Sequence, residues 1–170
     1  AGILPFVVGG SKKILDENIE IFNALGKAVW MGESGMGQAA KIIHNMVCGI
    51  MLAAYSEAIL LGEKFKKKKK QILEILLNHA VGSPLLNVKA SKFEQNNFEP
   101  AFALALMGKD LTLAEDDARE LRLILPTLSS TRELYNWAKI NGLGAEDSSA
   151  IIKALELLAE RKTNAHGGLQ

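Results

Sequence analysis

The stretch that decides the reading runs from Gly35 to Asn45, GMGQAAKIIHN. Its opening has the spacing G-x-G-x-x-A, close to the glycine fingerprint that seats a dinucleotide pyrophosphate on a helix N-terminus. That fingerprint also requires a second strand ending in an acidic residue about 20 positions on. Glu57 lies at that distance, but inside an apolar run from Ile42 to Leu61 that reads as helix, with no strand to carry it. The glycines therefore read as a tight turn and a close backbone approach between a strand and a helix.

Attention then moves to the first turns of that helix. Lys41, His44, Asn45, Cys48 and Leu52 follow the spacing i, i+3, i+4, i+7, i+11 and share one face. An otherwise apolar helix thus carries a cation, an imidazole and an amide together near its start. The expectation is that Lys41 is partly desolvated, which lowers a lysine pKa and fits it for proton transfer near neutral pH. Spacing alone leaves a second reading open, a lysine snorkelling to the surface beside a satisfied core amide. Lys109-Asp110 is a second candidate pair, ordinary on a solvated helix face.

Working outward, Leu4 to Val8 predicts a buried strand closed by Gly9-Gly10. Ser11 caps a predicted helix to about Leu25, ended by Gly26, and Ala28 to Met31 predicts a second strand. This is a β-α-β unit with a parallel pair, and two strands cannot bury both faces of a parallel sheet. Beyond Gly37 the pattern is helical throughout. A long helix from Gln38 to about Phe65, apolar nearly all round, predicts a central element surrounded by others. Helices are also predicted over 71–80, from Ser83 or Pro84 to about Phe93, over 102–123, over 126–141 with Gly142 as its stop, and from an Asp147 or Ser148 cap to about Arg161. The lysine-rich FKKKKK at 65–70 reads as a solvated inter-helix turn in preference to a polyanion or membrane patch. The fold expected is mainly α: residues 1–32 the end of a sheet domain, 33–162 an all-helical domain, 163–170 a tail. The chain enters LPFVVGG at once, so it reads as beginning inside a fold.

Composition narrows the function classes. The 170 residues are 48% apolar and 23% charged, which is the profile of a globular chain. Twenty basic and 19 acidic residues leave a net charge of +1. That balance gives no global reason to expect nucleic acid or a membrane as partner. One cysteine and three scattered histidines support neither a disulfide framework nor a metal site. The apolar run 42–61 is as long as a membrane span, but His44, Asn45, Ser56 and Glu57 inside it favour a core helix.

In order, GMGQAAKIIHN, SEAILLGEK, FEPAFALALMGKDLTLAEDDARE, LPTLSSTRELY and GLGAEDSSAII resemble the C-terminal half of β-hydroxyacid dehydrogenases. Within them the chain is similar to the 3-hydroxyisobutyrate dehydrogenase family and its tartronate semialdehyde, glyoxylate and succinic semialdehyde reductase relatives. The resemblance implies a multi-helical domain like the C-terminal domain of 6-phosphogluconate dehydrogenase, preceded by a β-α-β remnant of a Rossmann sheet. It implies Lys41 as catalytic general acid/base, Asn45 and His44 as substrate-binding, and Lys109 as cofactor-binding against NAD or NADP. It further implies a small hydroxyacid or aldehyde-acid substrate, a homodimer or tetramer formed through the helical domain, and a cytoplasmic, mitochondrial or plastid setting. The rest of the cofactor site belongs to an N-terminal Rossmann part this chain lacks, so the chain alone is expected to be inactive. Its competing role is a non-catalytic helical dimerisation module. One departure stands out: Lys-x-x-His-Asn is the 6-phosphogluconate dehydrogenase pattern, where the smaller enzymes usually have Asn-Asn.

Overall fold

The computed structural model describes residues 4–165. They form two compact units, 1–45 and 46–170.

The first unit is built on a parallel pair, β1 (Leu4–Gly9) and β2 (Gly26–Gly32), in register from Leu4 opposite Gly26 to Val8 opposite Trp30. Between them run two short helices, α1 (Lys12–Glu17) and α2 (Ile19–Leu25), where one was expected. The break falls at Asn18, whose side-chain amide donates to the Ile14 carbonyl at 2.8 Å. Such local side-chain bonds offer the backbone an alternative to continued helix. Gly26 does more than end a helix. A Cβ there would lie 1.9 Å from the Leu4 carbonyl oxygen, so the close parallel pairing requires glycine. The helices cover one face of the pair, with Leu15 buried and Phe6 packed edge-on to Phe22 at 5.4 Å. β1 is not buried as expected: Leu4, Val7, Val29 and Met31 are exposed, because two strands beneath two short helices leave much of their apolar surface uncovered.

The second unit is all helical. Its elements are most of α3 (Met36–Lys64), then α4 (Lys69–Asn78), α5 (Pro84–Gln95), α6 (Leu104–Glu120), α7 (Pro126–Ala138) and α8 (Ile151–Ala165). Ser83 caps α5, accepting from the Leu86 N–H at 3.0 Å, with Pro84 opening the helix. α7 ends earlier than predicted, passing into a π-type turn over Lys139–Leu143 where Gly142 takes φ +88°. Asp147 caps a single 3₁₀ turn, Ser148–Ala150, ahead of α8. The last helix continues through Ala165, past the predicted Arg161; the remainder of the predicted tail, 166–170, lies outside the described residues. Leu52, Ile59, Leu86, Phe93, Leu111 and Tyr135 are fully buried and form the centre of the core.

α3 is long and apolar enough to cross a membrane by length and composition. One side of it is packed: the Tyr55 hydroxyl donates to the Val81 carbonyl at 2.8 Å, and Ser56 returns its hydroxyl to the Leu52 carbonyl at 2.7 Å. Ile43, Val47 and Leu61 on other sides are exposed. The all-round apolar sequence thus overstated its burial. A face that reads as core in sequence is open surface among the described residues.

Candidate functional site

Gly35 and Gly37 bring α3 off the sheet. Gly35 adopts φ +94°, which favours glycine. Gly37 needs glycine for a different reason: a Cβ would meet the Val7 carbonyl oxygen at 2.7 Å and the Gly9 nitrogen at 2.8 Å. The second glycine is consumed by packing against the end of β1, so the described residues do not form a dinucleotide cradle here.

Two turns into α3 come the polar residues. Lys41 is exposed, in place of the partial desolvation expected of it. It lies near the start of the helix, where Gly37, Ile42 and Asn45 are buried and its other neighbours from Met36 to His44 are exposed or half-buried. Asn45 is buried at 7% exposure, and its Oδ1 lies 3.0 Å from Nδ1 of the exposed His44. With Oδ1 as acceptor, Nδ1 of His44 carries the proton. Two exposed polar functions, a cation and an imidazole, and one buried amide held by that imidazole therefore sit on one turn.

Lys109 belongs to the helical unit. Its side chain is 59% exposed, with Nζ 3.0 Å from Oδ1 of the buried Asp110. The pair is less ordinary than its sequence suggests, because the carboxylate is inside and the ammonium outside. Lys109 also lines a cleft of about 250 Å³ between α6 and α7, with Thr112, Tyr135, Asn136 and Lys139. That is below the volume of pockets that hold whole drug-sized ligands. Among the described residues no group of three or more His, Cys, Asp or Glu side chains is placed to hold a metal. Burial raises the pKa of the half-buried Cys48 thiol, despite the opposing effect of Lys89.

The strongest polar cluster escaped the sequence reading. Lys89 Nζ lies 2.7 and 2.9 Å from the two carboxylate oxygens of Asp147, and both residues are buried. Asp147 also accepts from the Ala101 N–H at 2.9 Å and from the Ser149 hydroxyl and N–H at 2.7 and 3.1 Å. Burial pushes its pKa up, but the hydrogen bonds from Lys89 and Ser149 outweigh that and hold it at about 2. The same turn supplies partners to α6, whose first N–H groups have no side-chain cap. Leu104 donates to the Glu146 carbonyl at 2.7 Å and Ala105 to the Gly144 carbonyl at 3.0 Å. The buried pair thus fixes the segment that positions the start of α6, the helix carrying Lys109. Tyr135, fully buried, donates to the Ser148 carbonyl at 3.1 Å, and burial pushes its pKa well up. The available signal was the spacing Leu86, Lys89, Phe93, which puts a lysine on an apolar helix face.

Comparisons with known proteins agree with this architecture. Residues 35–155 match the family model described as NAD-binding of NADP-dependent 3-hydroxyisobutyrate dehydrogenase. The chain is 33% identical over 162 residues to the 2-hydroxy-3-oxopropionate reductase of Escherichia coli K12, covering 95% of this chain and 56% of the relative. It is 32% identical to the chloroplastic glyoxylate/succinic semialdehyde reductase 2 of Arabidopsis thaliana, covering 95% and 45%. Among solved structures, it is similar to the Mycobacterium tuberculosis 3-hydroxyisobutyrate dehydrogenase with L-serine, at a TM-score of 0.80 and 27% identity, covering 89% and 54%. The chain spans about half the length of the curated relatives it matches.

Proposed function

The chain belongs to the 3-hydroxyisobutyrate dehydrogenase family, and from that premise we propose that it is the C-terminal half of an NAD(P)-dependent oxidoreductase. The reaction proposed interconverts a small β-hydroxyacid and its semialdehyde, or reduces glyoxylate or succinic semialdehyde. The observation that carries the reading is the turn Lys41–Asn45: an exposed ammonium one helical turn from a buried amide, on a helix whose start is packed on a strand end through Gly37.

The cofactor, when bound, supplies or accepts the hydride. In reduction Lys41 gives its Nζ proton to the substrate oxygen as that oxygen gains negative charge; in oxidation it takes the hydroxyl proton. Asn45, oriented by its contact with His44, offers its amide N–H groups to a substrate oxygen. Exposure of Lys41 suits a residue that must meet a substrate. The name of the matching family model assigns NAD binding to the region that includes the helices, which supports Lys109 as a cation facing the cofactor. The remaining cofactor contacts belong, in this reading, to a Rossmann part outside this chain. The apolar strand surface left open on β1 and β2 supports such a continuation of the sheet.

The test supplies that part. The chain is fused behind the dinucleotide-binding portion of the Escherichia coli relative, and NAD(P)H consumption is followed with 2-hydroxy-3-oxopropionate, glyoxylate and succinic semialdehyde. Turnover of at least one is expected, and Lys41→Ala lowers kcat by about 10²- to 10⁴-fold with the fold intact. Unchanged turnover in that variant removes Lys41 from the mechanism. A well-folded fusion that binds cofactor but turns over no substrate favours the second reading, a helical dimerisation module, which the self-sufficient core of the helical unit also allows.

A further inference from the structure

The turn joining α3 to α4 breaks local rules of helix chemistry in one consistent direction. α3 closes with the Lys67 N–H on the Gly62 carbonyl at 3.1 Å and the Lys66 N–H on the Glu63 carbonyl at 2.8 Å. In that closure the residue in the left-handed region is usually glycine; here it is Lys66, at φ +59°. The next helix begins at Lys69, and Lys68 takes the capping position where Ser, Thr, Asp or Asn would accept a backbone N–H. A lysine has no acceptor to offer there, and the helix start is served from the other side only, the Lys68 N–H donating to Gln71 Oε1 at 3.3 Å. The first turn of α4 then carries Lys69 and Lys70 and no acidic residue, at the helix end where cations are disfavoured. A cation at a helix C-terminus is ordinary, as with Arg122 at the end of α6, but that does not account for the five lysines that follow one another from Lys66 to Lys70. Lys69 turns back to Asn96 at 2.8 Å and Glu63 at 3.7 Å, while Lys64, Lys66, Lys67, Lys68 and Lys70 are exposed. Places where local chemistry contradicts stability are where function is expected.

Among these charges Phe65 is 69% exposed, while Leu61, four residues earlier on the same helix face, is 58% exposed in a cleft that Glu57, Glu63, Glu156 and Glu160 also line. Phe65, an exposed apolar tip flanked by Lys64 and by Lys66 to Lys70, is complementary to an anionic bilayer, where the lysines meet headgroup phosphates and the ring enters the interface. The same features fit nucleic acid less well. The chain's charge is balanced overall, and Phe65 is the single aromatic in the turn available to stack a base. We propose that the α3–α4 turn, Phe65 with its surrounding lysines, is a reversible docking site for anionic lipid bilayers. This revises, for one turn, the expectation that the chain has no membrane partner, and it stands independently of the catalytic reading.

Co-sedimentation of the chain with phosphatidylcholine vesicles containing phosphatidylserine, against pure phosphatidylcholine vesicles, tests it. Binding is expected to the former alone, and to collapse when salt is raised from about 0.1 to about 1 M. Removing one lysine charge should weaken partitioning about fivefold, so Lys67→Gln with Lys68→Gln should weaken it about 25-fold. Phe65→Ser should weaken it about tenfold or more. Lys66→Gly separates this role from a structural one: it should raise the melting temperature and weaken binding together. Equal partitioning onto both vesicle types overturns the proposal, as does a Lys66→Gly chain that binds vesicles unchanged. Retention of a single-stranded oligonucleotide without vesicle binding overturns it in favour of nucleic acid.

Discussion

The two units of this chain use their apolar residues and their charges differently. In residues 1–45 the sheet leaves Leu4, Val7, Val29 and Met31 open, and the ion pair Lys12–Asp16, at 2.7 Å, lies on the surface with both side chains more than half exposed. In residues 46–170 a closed helical core surrounds a fully buried carboxylate, Asp147, held by Lys89. The difference teaches where each unit's stability comes from. The helical unit carries its own core, and its buried pair, Lys89 and Asp147, is structural because it is desolvated. The strand unit has an uncovered sheet, and the lysine proposed for chemistry, Lys41, is kept in solvent within it. A partly desolvated lysine was the feature expected of a catalytic centre; among the described residues the buried lysine is Lys89, and it is committed to holding a loop.

The sharpest way to break this comparison is to remove Asp147. Asp147→Ala leaves Lys89 buried without its partner and frees the N–H groups of Ala101 and Ser149. Breaking a buried pair from one side costs roughly 3–5 kcal/mol, and urea unfolding followed by far-ultraviolet circular dichroism reads it directly. Lys89→Met with Asp147→Leu should recover part of the loss, since no charge is then stranded. A change under about 1 kcal/mol in the single variant would show that the pair is solvated in solution. The same carboxylate sets a pH dependence. Its pKa falls on folding from 3.8 to about 2, so its contribution is fully present above pH 4 and is lost as pH falls from there toward 2. Asp147→Asn should flatten that acid limb of the stability curve.

The strand unit is probed by Gly37→Ala. The added Cβ would lie 2.7 Å from the Val7 carbonyl oxygen, a backbone atom that cannot swing aside. Overpacking of this kind costs about 1–3 kcal/mol. The cost should appear as faster amide hydrogen exchange in β1 and β2, with the amides of α6 to α8 unchanged. Accelerated exchange in α6 to α8 would mean that the two units do not hold their stability separately.

The helices were legible in sequence because their signals are local: periodicity, Ser83-Pro84 at the start of α5, Pro126 at the start of α7. The parallel strand pair was legible for the same reason. What escaped is what depends on partners distant in sequence. Lys89 and Asp147 are 58 residues apart, and although Lys89 lies on an apolar helix face, nothing local says which residue is its partner. The exposure of β1 and of one side of α3 depends on how much chain is available to cover them, which hydrophobic pattern does not record. Asn45 and Lys41 share a helical face in sequence, yet one is buried and the other exposed, because Lys41 lies at the helix start where its neighbouring turn offers little cover. Asn18 could be read either as a tolerated helix residue or as a break, and its bond to Ile14 decided the matter.

The smallest effect belongs to the surface pair, and its smallness is the point. Asp16 lies one helical turn from Lys12 and accepts from its ammonium at 2.7 and 2.9 Å, distances as short as those between Lys89 and Asp147. Geometry alone would rank the two pairs equal. Solvent separates them: the surface pair gains little over its interactions with water, is screened by salt, and costs the long Lys12 side chain its freedom. Asp16→Ala should therefore shift stability by no more than about 0.5 kcal/mol, less still in high salt. A loss approaching that of Asp147→Ala would mean that the surface around α1 is covered in solution by something outside residues 4–165, and the contrast between an open strand unit and a closed helical one would have to be withdrawn.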